Sequence, residues 1–129
     1  MTNINYKHIE TRGSNELNLS LNPNQAIIFA YLLKKSKGDY KTKVTLSYDE
    51  VARFKVYSLR LDYKGFARLC YSLGDVQITN TFILGPLFES VYYSNKQMIF
   101  TWGVQLQQVM PEDYKSLIRF VLGSISGMQ

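Results

Sequence analysis

The order of apolar and polar residues early in the chain predicts one strand followed by one helix. Apolar and polar positions alternate strictly over Leu17–Leu21, which is the pattern of a half-buried strand. Asn22 can then cap a helix, and Pro23 suits its first position because the ring fixes the backbone near helical geometry. This helix is expected to run to about Lys37 and to end at Gly38. Its predicted apolar face consists of Ile27, Ile28, Tyr31 and Leu32.

A short strand and a short capped helix are predicted next. The strand covers Lys43–Leu46. Ser47 and Glu50 then have the spacing of a capping box, in which each side chain accepts a hydrogen bond from the other residue's backbone N–H. The helix that this box begins is expected over Tyr48–Phe54, with Val51 and the phenylalanine facing inward. A tight connection follows it.

A second, more basic helix is predicted from Ser58 to Gly74, with Ser58 or Asp62 as its cap. Arg60, Lys64 and Arg68 are spaced four residues apart, so they would form one row roughly 12 Å long. The apolar residues fall mostly on another side of the helix: Leu59, Phe66, Leu69, Cys70 and Leu73. This combination is typical of a helix that enters a DNA groove, and also of an ordinary solvated surface helix.

The C-terminal half is predicted to be mostly β-structure followed by one helix. Val76–Thr79 has the composition of a strand, and Gly85-Pro86 predicts a break. Two aromatic-rich segments joined by Ser94-Asn95-Lys96 predict a hairpin; they are Leu87–Tyr93 and Gln97–Trp102. A short helical turn is expected over Val104–Val109, and a last helix over Tyr114–Leu122 after Pro111.

Length and composition indicate one globular domain. The chain has 129 residues, of which 46% are hydrophobic. We assign residues 17–123 to the domain, residues 1–16 to a flexible arm and residues 124–129 to a frayed tail. No apolar run approaches the roughly 18 residues of a membrane span. The single cysteine, Cys70, excludes an intramolecular disulfide framework and fits a cytoplasmic, reducing location.

The positive charge is concentrated in one part of the chain. The net charge is +5, but residues 34–68 alone hold ten basic and four acidic residues. Such a concentration favours a polyanionic partner, nucleic acid first, because neutralised phosphates release their condensed counterions. The alternative is that these lysines lie on loops and serve only solubility.

No pattern of catalytic or metal-binding residues is present in the sequence. The only histidine, His8, lies in the predicted arm, and Cys70 has no histidine near it in sequence to make it a nucleophile. No set of histidine, cysteine and carboxylate residues has metal-ligand spacing. We therefore expect no enzyme activity, no metal and no cofactor.

The predicted order of elements is that of an α+β winged helix-turn-helix. A short helix, a tight turn and a basic second helix precede a β-hairpin, which would be the wing, and a final helix closes the domain. The second helix would lie in the major groove of double-stranded DNA, and Lys96 at the hairpin tip suits a phosphate contact. The candidate DNA-binding residues are Arg53, Lys55, Ser58, Arg60, Lys64, Arg68 and Lys96.

Several segments resemble the N-terminal winged-helix domain of plasmid replication initiators, the Rep proteins that bind iterons. They are Leu19-Ser20-Leu21-Asn22 with the helix segment 28–33, the strand and capped helix over 44–52, the basic segment 63–73, and the hairpin strands 91–93 and 98–100. The resemblance implies DNA binding as a replication initiator or autoregulator of a plasmid or mobile element. It also implies a homodimer formed through this domain and suggests a host replication protein as a partner.

A second hypothesis is that the chain is a small protein-interaction module, an inhibitor or adaptor encoded by a mobile element. The aromatic hairpin would then be the binding surface, since tyrosine and tryptophan dominate protein interfaces. The residues concerned are Phe88, Tyr92, Tyr93, Phe100 and Trp102. The competing interpretation is that alternate residues of the hairpin face the core.

Overall fold

The computed structural model describes residues 4–5, 18–52, 61–79, 84–104, 115 and 118–119. This part of the chain has an α+β fold with two antiparallel sheets, so the predicted fold class is confirmed at that level. The elements are β1 Ile4–Asn5, β2 Asn18–Leu21, α1 Pro23–Ser36, β3 Val44–Ser47, α2 Tyr48–Ala52, α3 Tyr63–Ser72, a 3-10 turn Leu73–Asp75, β4 Gln77–Thr79, β5 Leu84–Pro86, β6 Phe88–Ser94 and β7 Gln97–Trp102.

The first sheet has the strand order β1-β2-β4-β5. Ile4 and Asn5, which the sequence placed in an arm, pair with β2. The break predicted at Gly85-Pro86 is wrong, because both residues lie in β5 and pair with β4. Among the described strands β5 is at the edge of the sheet, where a proline without an N–H is tolerated.

Helix α1 begins with the cap predicted from Asn22 and Pro23. The Asn22 side chain accepts from the N–H of Gln25 at 2.8 Å, and the Gln25 side chain accepts from the N–H of Asn22 at 3.0 Å. The helix ends at Ser36, and Lys37 takes the left-handed conformation that closes its C-terminus. Burial extends beyond the predicted face; the buried residues are Ala26, Ile27, Ile28, Phe29, Ala30, Leu32 and Leu33.

The second sheet has the order β3-β7-β6 and contains the predicted hairpin. Asn95 and Lys96 both have positive φ, which is typical of the tight turn that matches the twist of two antiparallel strands. Three hairpin aromatics are buried at 2% exposure or less: Phe88, Phe100 and Trp102. The Phe88 ring stacks on Trp102 at 4.8 Å between centroids and packs at 5.2 Å from Phe100.

Helix α3 starts later than the sequence predicted. It begins at Tyr63, after Asp62, whose carboxylate accepts from the N–H of Gly65 at 2.7 Å. Asp62 has the extended backbone of a helix cap, with ψ 178°, so the helix does not continue to the N-terminal side. The predicted start at Ser58 is therefore wrong, and of the two predicted caps Asp62 is the one that α3 uses.

The predicted C-terminal helix is described at three positions. Lys115, Ile118 and Arg119 are helical, and Ile118 packs against the core. Phe54, the helical turn predicted after Val104 and most of the last helix lie outside the described residues. In the described ranges, no helix has the length and apolar character needed to cross a bilayer.

Candidate nucleic-acid interface

Helix α3 has one buried and one exposed face. Phe66, Cys70 and Leu73, the residue that follows the helix, are buried, as predicted from the apolar pattern. Each residue turns the helix by about 100°, so the directions of the side chains around the helix axis can be compared. Arg68 lies about 165° from the mean direction of the buried residues, and Lys64 lies about 155° from it. Both cations are exposed. The outermost ridge of α3 is therefore positively charged.

Lys64 and Arg68 have no carboxylate partner among the described residues. They are one helical turn apart, which is a rise of about 6 Å. The third member of the predicted row, Arg60, lies outside the described residues, and α3 begins three residues after it. Two cations of the predicted row are thus confirmed on one helix face.

Helix α2 is held in place at its N-terminus by the predicted capping box. The Ser47 hydroxyl accepts from the N–H of Glu50 at 3.1 Å, and the Glu50 carboxylate accepts from the N–H of Ser47 at 3.1 Å. Lys35 of α1 also donates to this carboxylate at 2.8 Å and to the carbonyl of Thr45 in β3. One carboxylate therefore ties α2 to α1 and β3.

Partial burial acts to raise the pKa of Glu50, but its partners outweigh that effect. The hydrogen bonds from Lys35 and Ser47, together with the lysine charge, hold the pKa of this carboxyl below its ordinary 4.5. The glutamate therefore stays ionised well into the acidic range.

The start of α3 is fixed to α2 through Tyr48. Its hydroxyl donates to the carbonyl of Leu61 at 2.8 Å, and its ring packs against Phe66 with centroids 5.8 Å apart. Gly65 fits this site because an added Cβ would lie 3.0 Å from the Asp62 carboxylate oxygen and 3.4 Å from Leu61. The glycine therefore leaves room for the cap of α3.

The hairpin presents its turn and two tyrosines to solvent. Lys96 lies exposed in the turn, as predicted, with φ 63°. Lys43, which precedes β3, approaches Tyr92 with its ammonium 3.2 Å from the hydroxyl and 5.5 Å from the ring centroid. Tyr93 is 44% exposed. The hairpin thus adds a basic tip and aromatic side chains to the surface.

A chain of tyrosine rings connects α2, α3 and the hairpin. The ring of Tyr63 lies 5.9 Å from that of Tyr48 on one side and 5.9 Å from that of Tyr93 on the other. We call these three residues the tyrosine bridge. The hydrogen bond with Tyr93, followed by desolvation, raises the pKa of Tyr63 to about 12, so the Tyr63 hydroxyl stays neutral.

The sequence did not point to Tyr63 or Tyr71 as surface residues. They are 43% and 48% exposed, on the same helix as the two cations. The helical period does indicate the exposure of Tyr71. Around the helix axis, Tyr71 lies about 135° from the mean direction of the buried residues of α3 and close to Lys64. The exposed face of α3 is therefore aromatic as well as basic.

The aromatic interface of the second hypothesis is wrong in three of its five members. Phe88, Phe100 and Trp102 are part of the core, because their strand positions face the helices. Tyr92 and Tyr93 are the two that remain exposed. The competing interpretation, that alternate hairpin residues face the core, is confirmed for these buried rings.

Four candidate DNA-binding residues cannot be located. Arg53, Lys55, Ser58 and Arg60 lie outside the described residues, whereas Lys64, Arg68 and Lys96 are exposed.

The described residues contain no group of three or more histidine, cysteine or carboxylate side chains that could hold a metal ion. No family model, curated protein or solved structure matches this chain.

Proposed function

We propose that this protein binds double-stranded DNA as a winged helix-turn-helix, with α3 in the major groove and the β6–β7 hairpin along the backbone. The order of elements supports the proposal: α1, β3, α2 and α3 are followed by a hairpin. The strand before α2 pairs with the second hairpin strand, which gives the sheet order β3-β7-β6. In the proposed function, α2 and α3 would be the two helices of the motif and the β6–β7 hairpin would be its wing.

The observation that carries the proposal is the pair of exposed cations on the outermost ridge of α3. Lys64 and Arg68 project away from the core without a carboxylate partner in the described part of the chain. Cations in this position can displace the condensed counterions of DNA, and an arginine can also bind a guanine edge in the major groove. Lys96 at the hairpin tip would contact a phosphate.

The resemblance to plasmid replication initiators supports a more specific role. We propose that the protein acts as a replication initiator or autoregulator of a plasmid or mobile element. A homodimer would read two half-sites, which is how symmetric DNA-binding proteins match palindromic targets. A host replication protein would be its further partner.

The test compares the wild-type protein with the double variant Lys64→Ala/Arg68→Ala. Binding to a random-sequence duplex is measured by fluorescence anisotropy between about 50 and about 200 mM salt. We expect weaker binding and a salt slope reduced by about 0.9 for each phosphate contact that is lost. Selection of bound sequences from the same pool then tests specificity.

The matched control is Lys34→Ala/Lys115→Ala, which also removes two exposed positive charges but from residues that do not belong to α3. If the control loses as much affinity as the α3 variant, binding depends on net charge alone and the assignment of α3 is refuted. If the wild-type protein binds no duplex at low salt, the proposed function is wrong.

A further inference from the structure

We propose that Tyr63 and Tyr93 are positioning residues that hold the hairpin tip against α3, so that helix and wing contact one DNA duplex together. This inference rests on the proposed function. The tyrosine bridge is the feature that carries it, because its three rings belong to α2, α3 and β6.

The bridge lies next to both proposed DNA contacts. Tyr63 immediately precedes Lys64 in the first turn of α3. Tyr93 is followed by the turn that contains Lys96, which lies about 7 Å further along the hairpin. A change in the Tyr63–Tyr93 contact would therefore alter the distance between the two cations directly.

The hairpin is attached to the helical layer at a second point, and that point is away from the tip. An added Cβ on Gly74, just beyond the end of α3, would lie 3.6 Å from Val91. Val91 and Tyr93 are on the same face of β6, two residues apart. Without the bridge, β7 stays paired with β3 up to Gln97, but β6 loses its ring contact with α3, so the tip can tilt relative to the helix.

Two members of the bridge, Tyr63 and Tyr93, contribute little to the buried core. Tyr63 is 43% exposed and Tyr93 is 44% exposed, whereas the core rings of the same hairpin are almost completely buried. Truncating either tyrosine should therefore leave the protein folded. Because of this, an effect on DNA binding can be measured separately from stability.

The experiment is a double-mutant cycle on the full chain, with duplex affinity as the readout. We expect Lys96→Ala to weaken wild-type binding about fivefold and to reduce the salt slope by about 0.9. In a Tyr93→Ala background we expect Lys96→Ala to change affinity less than about 1.5-fold, because the tip no longer reaches the backbone. Tyr63→Leu should have the same effect as Tyr93→Ala and provides a second variant if the first fails to fold.

The control cycle pairs Lys96→Ala with Tyr71→Ala, another exposed tyrosine of α3 that is outside the bridge. The fold-changes in affinity caused by Lys96→Ala and by Tyr71→Ala should multiply in the double variant. If the Tyr93→Ala and Lys96→Ala effects also multiply, the bridge does not position the tip, and this inference fails while duplex binding stands. If the wild-type protein binds no duplex, the proposed function itself fails.

Discussion

Replacement of Glu50 is expected to destabilise the fold, because its carboxylate joins three elements. One oxygen accepts from the N–H of Ser47, and the other accepts from Lys35, which also donates to the carbonyl of Thr45. The Lys35 and Glu50 side chains are only 28% and 29% exposed, so solvent screens their interaction less than it screens a surface pair.

The size of the effect follows from the interactions that each variant removes. Glu50→Ala removes the glutamate half of the capping box and the ion pair, which are worth about 1 kcal/mol each. Glu50→Gln keeps an oxygen acceptor and loses the charge, so about 1 kcal/mol is expected. With an unfolding slope of about 2 kcal/mol per molar urea, the midpoints should fall by about 1 M and about 0.5 M.

The stabilisation that Glu50 provides should decrease as the pH falls. The pKa of Glu50 is lowered in the folded state from its ordinary 4.5, so the unfolded chain binds the proton more readily. The stabilisation is therefore complete above about pH 4.5 and is lost as the pH falls through the folded-state pKa. Urea unfolding of wild type and Glu50→Gln, followed by circular dichroism at a series of pH values, should show curves that converge in acid.

Asp49 provides the matched control, since it is exposed in the same first turn of α2. Asp49→Asn removes one negative charge near the helix N-terminus but no ion pair within the described part of the chain. If Asp49→Asn costs as much stability as Glu50→Gln, the loss reflects only the helix dipole. A constant difference between wild type and Glu50→Gln down to strong acid would also refute the reasoning.

Three further changes can be tested by urea unfolding or thiol labelling. The buried Tyr40 hydroxyl has no hydrogen-bond partner in the described part of the chain, so Tyr40→Phe should leave stability unchanged or raise it by about 1 kcal/mol. A loss of stability above that size would contradict this. Gly103→Ala should lower the free energy of unfolding by about 3 kcal/mol, because the added Cβ would lie 2.2 Å from the backbone oxygen of Pro86. Gly74→Ala is the control, since its Cβ would meet only ordinary contacts. Equal losses of stability in the two variants would contradict this prediction. Burial raises the pKa of Cys70 to about 12, so a thiol reagent should label it only after unfolding, and rapid labelling of the native protein would contradict its burial.

The elements that the sequence predicted well are those with a local chemical cause. The cap of α1 at Asn22 and the box of Ser47 and Glu50 depend on residues three positions apart, and both are present. The hairpin turn at Asn95 and Lys96 is similarly local. Such signals are complete within a few residues, so they can be recognised without knowing the tertiary structure.

The wrong predictions concern segments whose local sequence is compatible with two structures. Ser58 and Asp62 were equally acceptable caps for α3, and the side-chain hydrogen bond to Gly65 belongs to Asp62. Gly85 and Pro86 usually interrupt a strand, but β5 pairs on one side only among the described strands, so the missing N–H of the proline is tolerated. The cap of α3 thus depends on a local hydrogen bond, whereas the outcome at Gly85 and Pro86 depends on the position of β5 in the sheet.

The charged residues of the candidate site could be predicted from the sequence, but the contacts that bring helices and hairpin together could not. Lys64, Arg68 and Lys96 carry a chemical signal in their own side chains, and all three are exposed. The ring contacts join residues 48, 63 and 93, which are far apart in sequence. No periodic pattern records such a contact, because it depends on how helices and hairpin pack.

A β-bulge in β6 determines which tyrosine completes the bridge. Phe88 pairs with Trp102, but Ser90 pairs with Thr101, so Glu89 is the extra residue on its strand. Strict alternation from Phe88 would place Tyr92 on the core face. The bulge instead places Val91 and Tyr93 there, opposite Phe100 and Met98, so that Tyr93 meets Tyr63 while Tyr92 meets Lys43. The Glu89 carboxylate accepts from the N–H of Val104 at 3.2 Å, so the extra residue of the bulge is linked to the chain just beyond β7.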